Sequence, residues 1–325
     1  MEFMPEFHTI RPASLAEALE ARAQQPDARF IAGGTDLVPN IRRGIVAPKT
    51  VIDLNGIAEI RSIESQEDGG SRIGAAVTLA ELIADARIAA AYPGVIAAAA
   101  SVAANSHREA ATVGGNLCLD TRCVFYNQSE WWRRSNSYCL KSRGETCHVA
   151  PKGDHCFAAF SGDLAPALIV LGAEIEIAAP GGGRTVPLTA IYRDDGMDHL
   201  ALGPDEVLAA VRIPAPDPGL RTGYVKVRVR SAIDFPLAGV AAALKRDGDS
   251  IGGLKVALTG TNSMPLLVSG TEALTGKPLD DAALQTLDGL IRKQIQPMNS
   301  TLTPPGYRRR VVSNLTRRLV LDLYR

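Results

Sequence analysis

Residues 29–43 read RFIAGGTDLVPNIRR, and the order of residue types in this stretch decides how the N-terminal part of the chain folds. Arg29–Ala32 has the length and apolar content of a short buried strand. Gly33-Gly34-Thr35-Asp36 follows with no spacer, and Leu37–Arg43 then takes up helical spacing. A strand running through a Gly-Gly turn into a helix start leaves backbone N–H groups unpaired and pointing outward, which suits a phosphate. Upstream, Ser14-Leu15-Ala16-Glu17 is a capping-box pattern for a helix reaching about Gln24, before Pro26. Downstream, Thr50–Leu54 (TVIDL) reads as a second strand. Residues 1–56 are therefore expected to form a small βαβ-type unit.

The pattern repeats further along. Ser71–Ala75 reads as a strand, Thr78-Leu79-Ala80-Glu81 is a second capping box, and the Ala-rich run Ile88–Ala104 is helical with a break at Pro93. A second glycine turn, Ala111-Thr112-Val113-Gly114-Gly115-Asn116, comes next. Two such turns, each offering N–H groups and a hydroxyl, suit the two phosphates of a dinucleotide. Neither fits G-x-G-x-x-G or G-x-x-x-x-G-K-[ST], so neither a Rossmann site nor a P-loop is supported. Either turn taken singly also reads as a plain turn.

Directly after the second turn lies CLDTRCVFYNQSEWWRRSNSYCLKSRGETCHVAPKGDHC, residues 118–156. This island holds all five cysteines and both tryptophans of the 325-residue chain. Cys123, Cys139, Cys147 and Cys156 are separated by 16, 8 and 9 positions. Four soft thiolates suit an iron–sulfur cluster or a structural zinc. The C-x₂₋₄-C knuckles usual for zinc are absent, but His148 and His155 keep a Cys/His zinc site open, and reduced structural thiols are the third reading. Arg133, Arg134, Lys141 and Lys152 would offset thiolate charge. Cys118 reads as a small buried hydrophobe. Trp131 and Trp132 read as the mini-core of an insertion too small to fold without its metal, with a docking surface for a cofactor or another subunit as the second reading. His8, His107 and His199 read as structural.

Beyond the island, Ser161–Leu171 reads as a helix, Ala173–Ile177 as a strand, Gly181-Gly182-Gly183 as a hairpin turn and Val207–Ile213 as a strand. Pro214–Pro218 is a linker. In the remainder, Tyr224–Val229, Ala238–Leu244 and Ile251–Thr259 are expected to form a three-stranded antiparallel sheet. Helices over about 280–295 and 307–324 complete a helical bundle, and the basic face of the last one (Arg308, Arg309, Arg310, Arg317, Arg318) reads as solvated. Net charge is zero, so neither nucleic acid nor a membrane surface is an expected partner. No apolar run reaches the roughly 18 residues of a membrane span. The opening MEFMPEFHTIRPASL lacks the apolar segment of a secretory signal, so a cytoplasmic location is expected, where thiols stay reduced. No Ser/His/Asp set, H-E-x-x-H motif or carboxylate pair suggests catalysis by this chain's own side chains.

FIAGGTDLVPNIRRG (30–44), TVGGNLCLDTRC (112–123), GDLAPALIVL (162–171) and KVRVRSAIDFPLAGVAAAL (226–244) resemble the FAD-binding medium subunits of the molybdenum hydroxylase (xanthine dehydrogenase) family, over essentially the whole chain. TRCVFYNQSEWWRRSNSYCLKSRGETCHV (121–149) resembles more narrowly the β subunits of the 4-hydroxybenzoyl-CoA reductase family, which add a [4Fe–4S] cluster to the FAD subunit. The resemblance implies an α+β chain with a vanillyl-alcohol-oxidase (PCMH) type FAD-binding domain over 1–216. Its two α/β subdomains would cover about 1–56 and 57–216, with the iron–sulfur insertion at 118–157. A domain like the C-terminal part of CO dehydrogenase flavoproteins would cover 217–325. Phe30, Ile31, Ala32, Gly33, Gly34, Thr35, Asp36 and Leu37 match one FAD diphosphate loop. Thr112, Val113, Gly114, Gly115 and Asn116 match the other. Asp163 matches an aspartate contacting FAD, Val207 and Leu208 match positions packing on the flavin, and Lys226 matches a lysine near the ring. Val102 falls where some relatives carry an aromatic residue against the flavin. Cys123, Cys139, Cys147 and Cys156 match the four cluster ligands. The resemblance further implies a heterotrimer that dimerises, with a large molybdenum subunit and a small subunit carrying two [2Fe–2S] centres. Ferredoxin would be the electron donor, and 4-hydroxybenzoyl-CoA would be dehydroxylated to benzoyl-CoA on the large subunit.

Overall fold

The structure is a computed structural model that describes residues 4–299 and 303–325. Three sheets carry the chain, and each forms where the sequence alternates or runs apolar. The first is parallel, with β1 (His8–Ile10) and β2 (Arg29–Ile31) flanking β3 (Thr50–Asp53). The crossovers are α1 (Leu15–Gln24), capped by the Ser14 hydroxyl accepting from the Glu17 N–H, and α2 (Leu37–Arg42). The Glu17 carboxylate accepts from the Ala13 N–H instead of closing the box on Ser14.

The second sheet is antiparallel, in the order β4 (Ile63–Ser65), β5 (Ser71–Gly74), β8 (Val207–Ile213), β6 (Glu174–Ala179) and β7 (Gly182–Pro187). Between β5 and β6 the chain runs through α3 (Leu79–Ala84), α4 (Ala86–Ala91), α5 (Pro93–Ser101), α6 (Asn105–Arg108), α7 (Val113–Leu117), α8 (Glu130–Ser135) and α9 (Leu164–Ile169). The Thr78–Glu81 capping box at α3 forms in both directions. Pro93 takes the first position of α5, which divides the Ala-rich run where its missing N–H costs nothing.

The third sheet departs from expectation. It has four strands, not three: β9 (Leu220–Val227), β10 (Ala238–Asp247), β11 (Ser250–Thr259) and a two-residue β12 (Leu266–Leu267) pairing with Ala257 and Leu258. Two residues carry no periodicity, so β12 could not show in the sequence. Side chains along β10 alternate between two cores. Val240, Ala242 and Leu244 pack toward α10 (Asp281–Gln294) and α11 (Pro305–Tyr324), while Ala241 and Ala243 join the central core with α5 and α9. The small residues are on the central side, where α5 approaches closely: a Cβ on Gly94 would lie 3.0 Å from the Gly223 nitrogen. Arg308 also departs from expectation. It is buried and donates to the Gly260 carbonyl at 3.2 Å, while Arg310, Arg317 and Arg318 are exposed as expected. Among the described residues no helix is long and apolar enough to cross a membrane.

Leu258 is fully buried in β11 and Leu267 is exposed on β12. Leu258→Ala is expected to lower stability by about 2–5 kcal/mol, and Leu267→Ala by about 0.5 kcal/mol or less. Urea unfolding of both variants checks this, and equal losses would mean that β12 contributes to the core.

Candidate functional site

A cleft of about 790 Å³ is lined by the β2–α2 turn, the segment from Ala111 to Asn116, the start of the cysteine island and the loop after β9. One wall is the β2–α2 turn, residues Phe30 to Leu37, all of which line it. Gly33 is there by necessity, since a Cβ would sit 1.7 Å from the Ala110 carbonyl oxygen. Gly34 takes φ +69°, which side chains rarely adopt. Among the described residues no acceptor takes the N–H of Gly33, Gly34 or Thr35. The first turn therefore presents bare donors, as its sequence predicts.

The second turn does not. The Gly114 N–H donates to the Ala75 carbonyl at 2.8 Å, and the Gly115 N–H donates to the Thr112 hydroxyl, which caps α7. Val113 is in the central core, and a Cβ on Gly114 would strike Ala75. Ala111, Thr112, Gly115 and Asn116 of this turn line the cleft, while Val113 and Gly114 do not. The expectation of two equivalent donor loops is corrected: tight packing of α7 on the end of β5 consumes the second set.

The floor is a buried polar knot. Asp163 accepts from the Tyr224 hydroxyl and from Lys226 Nζ at 2.9 Å, with both charged side chains 4% exposed. Lys226 also donates to the Ser101 carbonyl at 3.2 Å, and Arg228 to the same oxygen at 3.1 Å. Burial pushes the Asp163 carboxyl up, and Lys226, the Tyr224 hydroxyl and Arg228 pull it back. Asp163 lines the cleft, and Lys226 reaches it only through Asp163. Val207 and Leu208 lie inside β8, buried between β5 and β6, and do not line it. Val102 does.

The four island cysteines are all buried, and three of them meet in one apolar cluster. Cys123, Cys139, Cys147 and Cys156 are buried and unpaired, and Cys123, Cys139 and Cys156 share a cluster with Tyr126 and Ala158. Hydrogen-bonded turns present three of them: the carbonyls of Cys123, Cys139 and Cys147 accept from Tyr126 and Asn127, from Ser142 and Gly144, and from Ala150. Left-handed Ser137 and Tyr138 bend the chain into Cys139. A hydrogen bond from Cys156 holds the Cys147 thiol down at about 5 and pushes Cys156 well up. Burial, with repulsion from Cys139 and Cys147, pushes Cys123 up to about 11. Among the described residues no three His, Cys, Asp or Glu side chains meet closely enough to hold one ion. Both histidines are engaged elsewhere: His148 Nε2 with the Tyr138 carbonyl and His155 with Asp154.

Trp131 is 73% exposed, so the expected tryptophan mini-core is corrected to Trp132 packed against Phe125, ring centroids 5.9 Å apart. Arg133, expected beside the thiolates, is instead a buried pin bonded to Glu130 and the Gly44 carbonyl. Cys118 is half-buried and lines the cleft. Five further cleft residues come from the island, Leu119, Asp120, Arg122, Tyr126 and Lys141, and two of them are cations. Arg122 pairs with Asp36 of the first turn and lies over the Phe235 ring, 4.6 Å from its centroid. Burial lowers its guanidinium to about 10. Lys141 binds Asp120 and Thr121 and sits over Tyr126. The sequence offers Lys141 only as a charge beside the thiolates and singles out neither Arg122 nor Tyr126; the available signal is that Arg122 directly precedes Cys123 in a stretch adjoining the second turn. Among the described residues seven buried side-chain polar atoms lack partners, and three of them, Asn40 Oδ1, His107 Nδ1 and Arg122 Nε, belong to cleft residues. Such orphans fit a cleft shaped for a polar ligand.

Residues 5–216 match the family model of the FAD binding domain in molybdopterin dehydrogenase, and residues 223–323 that of the CO dehydrogenase flavoprotein C-terminal domain. The aldehyde oxidoreductase FAD-binding subunit PaoB of Escherichia coli K12 is 34% identical over 279 residues, covering 83% of this chain and 86% of that one. The xanthine dehydrogenase FAD-binding subunit of Escherichia coli O157:H7 is 27% identical over 315 residues, covering 96% and 94%. The structure of reconstituted CO dehydrogenase from Oligotropha carboxidovorans superposes with a TM-score of 0.82 at 25% identity, over 99% of both chains. The cleft, with its bare glycine turn and orphaned polar atoms, accordingly lies in a recognised flavin domain. The chain belongs to the FAD-binding medium subunits of the molybdenum hydroxylase family that includes xanthine and CO dehydrogenases, and is an oxidoreductase subunit.

Proposed function

We propose that this chain is the FAD-carrying electron-transfer subunit of a molybdenum hydroxylase, with a second redox centre held by Cys123, Cys139, Cys147 and Cys156 beside the flavin cleft. The observation that carries the reading is Tyr126, whose side chain belongs both to the cysteine cluster and to the cleft lining. The island offers four buried thiols as its donor set. Four thiolates suit a [4Fe–4S] cluster or a structural zinc, and the C-x₂₋₄-C knuckles usual for zinc are absent from this stretch. When bound, FAD exchanges two electrons and an iron–sulfur cluster one, so a chain holding both converts between the two.

Within this reading Phe30–Leu37 take the FAD diphosphate, and Thr112, Gly115 and Asn116 close over it. Asp163, held by Lys226, meets the rest of the cofactor. Val113, Gly114, Val207 and Leu208 shape the cleft from behind. The domain division at 216/217 and the vanillyl-alcohol-oxidase type of the FAD domain belong to the same proposal. So do the partners: a large subunit with the molybdenum site and a small one with [2Fe–2S] centres. The relative at 34% identity is named for aldehyde oxidation, which makes an aldehyde the first substrate to supply to the assembled enzyme. The resemblance of residues 121–149 to the β subunits of the 4-hydroxybenzoyl-CoA reductase family favours a second reading, in which the partner site reduces 4-hydroxybenzoyl-CoA with electrons from ferredoxin.

Iron, acid-labile sulfide, zinc and flavin are to be measured on anaerobically purified protein, with a reduced-state EPR spectrum. About four irons, four sulfides and one FAD per chain are expected; one zinc without iron would end the proposal of a second redox centre. Cys139→Ser is expected to lose the iron signal. With the assembled enzyme, turnover of an aldehyde against turnover of 4-hydroxybenzoyl-CoA with a low-potential donor separates the two readings. Gly33→Ala drives a Cβ into the Ala110 carbonyl, and is expected to lower flavin content at least about tenfold, roughly 1.4 kcal/mol of binding or more. Gly289→Ala, where nothing lies within 4 Å, should leave it unchanged. Full flavin occupancy in the Gly33 variant would remove the first turn from the site.

A further inference from the structure

Among the charged side chains lining the cleft, the buried cations both come from the cysteine island: Arg122, 11% exposed, and Lys141, 5% exposed. Arg29, Arg43 and Arg230 also line the cleft but are exposed. Lys141 is committed to Asp120 and Thr121 on the island's own stem. Arg122 is different. Its guanidinium reaches out of the island to Asp36, in the turn whose N–H groups are bare, and its Nε is buried without a partner. Its plane is set by the Phe235 ring in the loop after β9. Its backbone exchanges two hydrogen bonds with Ala159, three residues past Cys156, and Cys123 follows it directly. One side chain thus touches the first glycine turn and the C-terminal domain while its own backbone is clamped at both ends of the metal pocket.

We propose that Arg122 couples the two centres: the cysteine island delivers its guanidinium to the FAD diphosphate, so that loading the metal pocket tightens FAD and bound FAD tightens the metal pocket. The inference rests on the reading of the island as a metal site and of the cleft as the FAD site. The physical basis is direct. Arg122 keeps its place only while the turn at Cys123 and the bridge to Ala159 keep theirs, and the thiols of Cys123 and Cys156 draw those two strands of chain together. A guanidinium offers a planar fork of donors that matches a phosphate, and in a buried cleft its charge is weakly screened. Linkage makes the effect reciprocal, whatever the order of loading.

The test is FAD affinity by fluorescence titration of deflavinated protein, once with the metal centre intact and once after anaerobic chelation. In the natural chain, loading the metal is expected to tighten FAD by a factor of about 5–150, and FAD to slow loss of iron to a chelator. In Arg122→Gln the two FAD affinities should coincide to within about twofold, below the coupling range. Arg122→Lys, which keeps the charge and loses the fork, should fall between. Equal FAD affinities in the loaded and chelated natural chain would overturn the coupling, without any variant having to fold. A full effect surviving in Arg122→Gln would show that another route carries it. If the chain held no metal, or bound no FAD, the underlying reading would fail instead, which is a different result from two cofactors that bind independently.

Discussion

The cleft depends on a contact that only a glycine permits. At Gly33 the β2–α2 turn crosses the chain at Ala110 so closely that no side chain fits between them. This backbone crossing seats the small parallel sheet on the segment that leads into α7, and so brings the first turn opposite Thr112 and Asn116. It also explains why the two glycine turns, alike in sequence, differ in use. The first is held by a crossing that leaves its N–H groups free, whereas the second is held by hydrogen bonds that spend them.

The third sheet supplies the floor through its alternation. Because β10 is apolar on both faces, the sheet stands between two cores instead of covering one, and β9 beside it places Tyr224 and Lys226 under the cleft. A buried Asp–Lys pair contributes little to stability compared with apolar residues of the same size, because desolvation offsets the attraction. Its physical effect here is local: it keeps an acidic group ionisable in a dry place, with every one of its partners named and fixed.

Most of the fold was legible, for reasons that can be traced to particular residues. Capping signals at Ser14 and Thr78 and the break at Pro93 act locally, so the sequence shows them directly. Strand β12 was not legible, since it exists only by pairing with β11. The open N–H groups of the first glycine turn follow from its own strand–turn–helix pattern, whereas the fate of those in the second does not, because the partner of Gly114 is Ala75, thirty-nine positions away. The cysteines could be found by type, whereas Arg122 looked like one island cation among several. What sets it apart is Asp36, a long-range partner that no spacing reveals.

The distribution of unsatisfied polar groups gives the cleft a direction. Two unpartnered buried nitrogens, Arg122 Nε and His107 Nδ1, belong to residues that adjoin the first turn: Arg122 pairs with Asp36, and His107 holds the Ala111 N–H beside the Gly33 crossing. The bare N–H groups of Gly33 to Thr35 are at the same end. On the floor, by contrast, both oxygens of Asp163 and the ammonium of Lys226 are already engaged. A ligand with an anionic end and a less polar end gains new hydrogen bonds only when the anion lies at the turn, because leaving buried donors unmade costs about 1–3 kcal/mol each. The cleft therefore selects an orientation before any contact specific to the ring is made, and it places the other end of the ligand toward Asp163.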